Sequence, residues 1–384
     1  MTATSAPENR DKVVTKLPPQ LRRELKIRAA TVGVDIQDAV TEGIKAWKAS
    51  PKPLAPIDTA GSESFSTYVP SDLLATFRND CSELKIAYNQ GVAQSIRLWL
   101  DAHPLPQRNR MATGARRVAF GNQKGGVGKT ALSAGVGQAL AEMGFRVLLV
   151  DFDPQGHLTL QFGLKHLSLK GDSLVKNLVG ERESDLRDIL VPIDGDGFAD
   201  RLFLLPACTD GFLLDAKLVT SREVRVKETA LEKALSGLER EFDFIIVDCP
   251  PSLGYAMDNA LYYVRTREGE PAASSGLVIP VQAEDSSADA YELLREQIDS
   301  LCDDLDIDIH DFGFVVNLYD PRKGYVVTSA LAGWKSIGTP EVIAVLSDLK
   351  DQREAVRAKT PLLTYAPDSE QADTLRTIAR RIAE

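Results

Sequence analysis

Residues 122–130 run Asn122-Gln123-Lys124-Gly125-Gly126-Val127-Gly128-Lys129-Thr130, and this stretch decides the fold. An apolar run, Val118-Ala119-Phe120, leads into it, and a small-residue helix from Ala131 to Met143 is expected to follow. Strand, glycine loop and helix in that order make a phosphate cradle. Glycines let successive backbone N–H groups curl around an anion, and the helix N-terminus adds partial positive charge. Lys129 is then placed to reach the β- and γ-phosphates, and the Thr130 hydroxyl to ligate Mg²⁺. The strict pattern wants glycine where Gln123 stands, and Lys124 is an extra cation that one nucleotide does not need.

Two further segments repeat one design. Val147-Leu148-Leu149-Val150-Asp151-Phe152-Asp153-Pro154-Gln155-Gly156 is an apolar run that ends in acids, and so is Phe244-Ile245-Ile246-Val247-Asp248-Cys249-Pro250. Four consecutive apolar residues suit a strand buried on both faces, which puts the acids at the carboxyl edge where ligands bind in open α/β sheets. An acid such as Asp248 can hold a Mg²⁺-bound water there. Strands are expected at 117–121, 146–151, 202–205, 243–248, 276–280 and 312–318, alternating with helices. The fold class is therefore α/β, a doubly wound parallel sheet of the P-loop kind. Residues 163–200 are polar and glycine-rich, and they support only a helix near 172–180 followed by loop.

From residue 117 to 384 the chain resembles the ParA family of partition ATPases, within the deviant Walker P-loop NTPases. The resemblance rests on Lys124-Gly-Gly-Val-Gly-Lys129-Thr130, Asp153-Pro154-Gln155-Gly156 and Asp248-Cys249-Pro250-Pro251-Ser252-Leu253-Gly254. Weaker matches are Val278-Ile279-Pro280-Val281-Gln282, Asn317-Leu318-Tyr319-Asp320 and Pro361 to Pro367. It implies ATP/ADP and Mg²⁺ as cofactors, with the nucleotide held by Lys124, Gly125, Gly126, Val127, Gly128, Lys129, Thr130 and Ala131. It implies Thr130, Asp153 and Asp248 around the metal, Asp153 orienting the attacking water, and Asn317 and Pro367 near the adenine. It also implies an ATP-dependent homodimer in which Lys124 crosses to the partner's nucleotide. A ParB-like centromere-binding protein would stimulate slow hydrolysis, and dimers would coat nonspecific DNA at the nucleoid. Arg353, Arg357 and Lys359 lie where the family carries its basic DNA-binding residues, with Arg322 and Lys323 a second candidate pair; a solvated helix face is the bland alternative. Ala131 replaces a common second Thr and His157 a common Asn, so contacts at those two points depart from the family pattern.

The N-terminal region holds a repeat. Sliding residues 13–47 by 52 positions aligns Thr15-Lys16-Leu17-Pro18 with Thr67-Tyr68-Val69-Pro70, and Trp47 with Trp99. Each copy predicts a short strand, a helix (19–31, 71–83) and a second helix (36–48, 88–101). That order resembles the ribbon-helix-helix DNA-binding fold. Alternation sends Val13, Thr15 and Leu17 inward and Lys12, Val14 and Lys16 outward, where a groove-facing ribbon would use them. Asp35 is a candidate helix cap; Ala87, its counterpart, has no cap oxygen. The competing reading is a helical dimerisation module. The expected organisation is 1–48 first copy, 49–63 Pro-rich linker, 64–101 second copy, 102–116 linker, 117–384 ATPase domain.

With 43% hydrophobic and 26% charged residues, the 384-residue chain is expected to form globular domains with ample cores. Four scattered cysteines argue against disulfides, structural zinc or an iron–sulfur cluster, and together with the lack of a secretory core they suit the cytoplasm. Residues 1–110 carry 15 Lys+Arg against 12 Asp+Glu, and the remainder 30 against 43. At the C-terminus Leu375, Ile378, Ala379 and Ile382 recur at helical spacing and are read as packing inward. A membrane-targeting helix, as in MinD-type positioning ATPases, is the less favoured reading. An ATP-switched transcriptional repressor acting through residues 1–110 is the third.

Overall fold

A computed structural model of the chain describes residues 9–104, 114–182, 184–195, 197–198 and 200–384. It separates into two compact units, divided between residues 107 and 108. Most of the expected second linker therefore lies outside the described residues.

In the first unit, β1 (Arg10–Leu17) leads to helices α1 (Pro19–Val32) and α2 (Ile36–Ala49), and β2 (Glu63–Pro70) leads to α3 (Ser71–Glu83) and α4 (Tyr88–Ala102). Prolines at the two strand ends set the entry to α1 and α3, because fixed φ suits a helix start while the missing N–H ends the ladder. The two strands pair antiparallel within the one chain, from Arg10 opposite Pro70 to Leu17 opposite Glu63. Val13, Leu17, Phe65 and Val69 point into a core shared with Leu25, Ile44, Phe77 and Ile96. The helices pack with reciprocal bonds. Trp47 Nε1 donates to Gln94 Oε1 and Trp99 Nε1 to Glu42 Oε2, each at 2.9 Å. Residues 42 and 47 stand 52 positions before 94 and 99, so the copies face each other across an internal pseudo-two-fold, as in an isologous dimer. Asp35 does occupy a helix N-cap, but its side chain makes no capping bond. The first linker is pinned rather than free, since Gln94 Nε2 donates to the Ala55 carbonyl at 3.0 Å and Leu54 and Ile57 pack on the core.

The second unit is built on an eight-stranded sheet. Its strands are β3 (Arg116–Phe120), β4 (Val147–Asp151), β5 (Val191–Ile193), β6 (Leu202–Leu205), β7 (Phe244–Asp248), β8 (Gly276–Gln282), β9 (Asp311–Tyr319) and β10 (Val342–Ser347). They lie in the order β10-β9-β8-β3-β7-β4-β6-β5, and every neighbouring pair is parallel except β5 with β6. β4 and β7 are wholly buried. Alternate residues feed two cores, with Leu148, Val150, Ile245 and Val247 on one face and Val147, Leu149, Phe244 and Ile246 on the other. β5 and β10 arise where only loop or helix was expected.

Helix α5 (Lys129–Glu142) crosses behind β3 and is buried almost along its length. The C-terminal helix Glu370–Ala383 lies against it, with Leu375, Ile378, Ala379 and Ile382 in the same core. Arg376 meets Glu142 at 2.8 Å, both nearly inaccessible to solvent. The terminal helix therefore has its apolar face covered inside the unit, as the inward-packing reading expects. No helix among the described residues is long and apolar enough to cross a membrane.

Candidate functional site

The loop between β3 and α5 lies at the carboxyl edge of the sheet, beside the tips of β4 and β7. Asp151 and Asp248 end those two strands and are directly paired in register, while Phe120 pairs with Asp248 on the other side. Three strands thus bring the glycine loop and two acids together.

β8 and β9 brace the loop. Asn122 Nδ2 donates to the Pro280 carbonyl at 2.7 Å, and Gln282 Nε2 to the Gly126 carbonyl at 3.3 Å. Asn317 Nδ2 donates to the Val127 carbonyl at 3.0 Å. Gly128 has φ +94°, and a Cβ there would stand 2.0 Å from that same Asn317 nitrogen, so both conformation and space require glycine. At Gly125 and Gly126 a Cβ would meet nothing within 4 Å, which marks open space over the loop's N–H groups.

Below the loop sits Lys129, only 6% exposed, with Nζ donating to the Lys124 carbonyl at 3.0 Å. Burial lowers its pKa, against the attraction of Asp248, Cys249 and Asp153. Asp248 is fully buried. Desolvation first, then the charge of Asp151, pushes its carboxyl up to about 8, opposed by the hydroxyls of Thr130 and Ser133. Desolvation likewise raises Asp151 to about 7, although Thr159 donates to its Oδ2 from both N and Oγ1 at 2.7 and 2.6 Å. One oxygen of each acid, Asp151 Oδ1 and Asp248 Oδ2, is buried without a hydrogen-bond partner. Orphaned carboxylate oxygens beside a hydroxyl suit Mg²⁺, which takes one or two carboxylates and completes its shell with water and phosphate oxygens. Asp153, 6% exposed, accepts from the Gln155 N–H at 2.9 Å and borders the same space.

Lys124 is turned back onto its own chain, paired with Glu284 and with Nζ 3.3 Å from Ser287 Oγ. A cleft of about 590 Å³ opens nearby, bordered by Glu284, Leu318, Asp348 and Arg353. Ala131 is the third residue of α5, half-buried. Pro367 lies in the loop ahead of the terminal helix, where its carbonyl accepts from Arg376 at 2.8 Å. The basic stripe expected from Arg353, Arg357 and Lys359 does not form as one row. The helix Lys350–Arg357 ends before Lys359, whose φ of +52° takes it off the helical spiral. Arg353 is drawn to Asp348 at 2.7 Å, while Arg357 is exposed. In the first unit Lys12, Val14 and Lys16 lie on the outer face of the ribbon, as alternation predicts. Ser133, one turn after Lys129, and Glu284 were not picked out from sequence. The i,i+4 spacing from Lys129 is the signal that could have found Ser133.

Comparison with known proteins agrees with this geometry. The family model described as an AAA domain matches residues 115–310. The chain is 31% identical to the sporulation initiation inhibitor protein Soj of Bacillus subtilis, across 69% of this chain and 97% of that protein. It is 33% identical to the chromosome partitioning protein ParA of Myxococcus xanthus, across 55% and 68%. Among solved structures it is similar to a cobyrinic acid a,c-diamide synthase from Mycobacterium smegmatis with a bound ATP analogue and magnesium. That likeness has 29% identity and a TM-score of 0.52, covering 69% of this chain and 93% of that one.

Proposed function

Because the chain belongs to the ParA family of partition ATPases, we propose that it binds Mg-ATP on the β3–α5 loop, pairs with a second copy across the nucleotide, and hydrolyses ATP slowly to segregate plasmid or chromosomal DNA. One observation carries the nucleotide site: buried Lys129, drawn by the charge of Asp248, opens the helix after an open glycine loop, and Asp248 and its strand neighbour Asp151 each keep a buried unpartnered oxygen. The bound ATP analogue and magnesium of the 29%-identical structure support the same cofactors here.

In this reading Lys129 and the loop N–H groups hold the phosphates. Thr130 and, through water, Asp248 hold the metal, and Asp153 orients the attacking water. Bound magnesium supplies neutralisation of charge on the phosphate oxygens. Phosphoryl transfer of this kind relies on positioning and charge, so the site needs no nucleophile of its own. Lys124 acts on the phosphates of the other copy, as an arginine finger does in trans, and its pairing with Glu284 must break first. The nucleotide-bound pair coats nonspecific DNA through Arg357 with Arg353 and Lys359, and a ParB-like partner releases it by stimulating hydrolysis. Such DNA affinity falls steeply with salt, because counterion release drives it. The test is ATP turnover by Lys129→Ala and Asp153→Ala. Both are expected to lose hydrolysis, and wild-type turnover in either removes the site assignment.

The N-terminal unit adds a DNA-binding module to this activity. Its support is the antiparallel ribbon, which carries Lys12, Val14 and Lys16 outward above two helix pairs. The same observation favours a second reading, an ATP-switched transcriptional repressor. A specific footprint upstream of the chain's own gene, surviving deletion of the ATPase body, would select that reading.

A further inference from the structure

The two copies of the N-terminal unit match in fold and differ in chemistry. Across the ribbon's outer face Lys12 stands opposite Tyr68, Val14 opposite Ser66, and Lys16 opposite Ser64. Val14 is 58% exposed and Tyr68 49%, so these are surface groups that no other part of their unit covers. Residues 10–49 hold nine Lys+Arg against five Asp+Glu, a net +4; residues 63–102 hold three against five, a net −2. The near-two-fold frame set by the Trp47–Gln94 and Trp99–Glu42 bonds therefore carries a basic half and an acidic half.

A DNA major groove, about 12 Å wide, admits a two-stranded ribbon. When two identical chains supply such a ribbon, both strands present the same residues and the preferred site is a palindrome. Here one chain supplies both strands, and they are not alike. Building on the reading of this unit as a DNA-binding module, we propose that a single chain reads a double-stranded DNA site without dyad symmetry. The basic first copy holds phosphates, and the two strands meet different base edges. Lysines such as Lys12 and Lys16 suit guanine O6 and N7, and Val14 suits a thymine methyl. The hydroxyls of Ser64, Ser66 and Tyr68 pair with bases without bringing charge. Guanines therefore concentrate under β1 and not under β2.

Selection of bound duplexes from a random pool by the full-length, nucleotide-free chain tests this, followed by salt titrations of variants. All the substituted side chains are surface groups, and thermal melting checks that each variant keeps its fold. The expected result is an enriched sequence with no inverted repeat. Lys12→Ala and Lys16→Ala should each relax the guanine preference under β1 and, because each removes a cation from the groove, also reduce the slope of log affinity against log salt. Ser64→Ala and Ser66→Ala should leave that slope unchanged and relax base preference at one end of the site only. Tyr68→Lys, which copies Lys16 onto the second strand, should steepen the slope. An enriched palindrome, or equal slope losses from both strands, overturns the asymmetric reading and leaves DNA binding by the unit intact. No enrichment over the starting pool overturns the DNA-binding reading itself.

Discussion

Asp248 shows how a single residue can be unfavourable for the empty fold and suited to a ligand. Its carboxyl is raised to about 8 and that of Asp151 to about 7, from an ordinary 3.8. Between about pH 4 and pH 8 the folded chain thus binds more protons than the unfolded one, so stability falls as pH rises through that window. The nucleotide-free protein should show a melting temperature that drops from about pH 4 to about pH 8, and Asp248→Asn should flatten the drop. An unchanged pH slope in the variant would remove Asp248 as its source. The acids at the strand tips were legible in sequence because each ends an unbroken apolar run. Their mutual pairing was not, since it depends on β4 and β7 lying side by side although Asp248 follows Asp151 by 97 positions. The Lys124–Glu284 contact was hidden for the same reason.

Among the elements, two close contacts predict separate losses. In the first unit, a Cβ at Gly43 would stand 2.5 Å from the Ser95 carbonyl oxygen, where α2 and α4 cross. Gly43→Ala should force the pair apart and destabilise that unit by about 1–3 kcal/mol, the usual range for overpacking. Denaturant unfolding that follows the signals of Trp47 and Trp99 measures it. In the second unit, Arg376→Ala would leave Glu142 buried without its partner and should cost about 3–5 kcal/mol. Replacing both by apolar residues of similar volume should recover much of that loss, and a double-mutant cycle reads the difference. The elements found from sequence share strong periodicity or capping prolines, including all four helices of the first unit. The missed strands explain themselves physically. β5 is a three-residue edge strand with Pro192 at its centre, too short to show a period. β10 carries the apolar run Val342–Leu346, whose length alone does not separate a strand from a buried helix segment.

For the whole molecule, the decisive residue is Lys124. Lys129, the loop N–H groups and a metal can balance one nucleotide's phosphates, so a second lysine is most useful against another subunit's. Lys124→Ala should leave ATP binding by the monomer nearly unchanged and abolish the ATP-dependent dimer, DNA coating and stimulated turnover together. Sedimentation with ATP checks it, and a normal dimer in the variant would mean that Lys124 serves its own nucleotide. The intrachain ribbon gives such a dimer a second property. Each chain completes its own ribbon, so if that ribbon reads DNA as proposed, pairing through the ATPase bodies would double the number of whole DNA readers per particle. Nucleotide state would then set valency: one grip for the monomer, two for the dimer. When both grips engage one DNA molecule, the second is an intramolecular event, and avidity can exceed single-site affinity by about 10²–10⁴ with no new contact formed. Hydrolysis would undo that gain by returning the particle to a single grip.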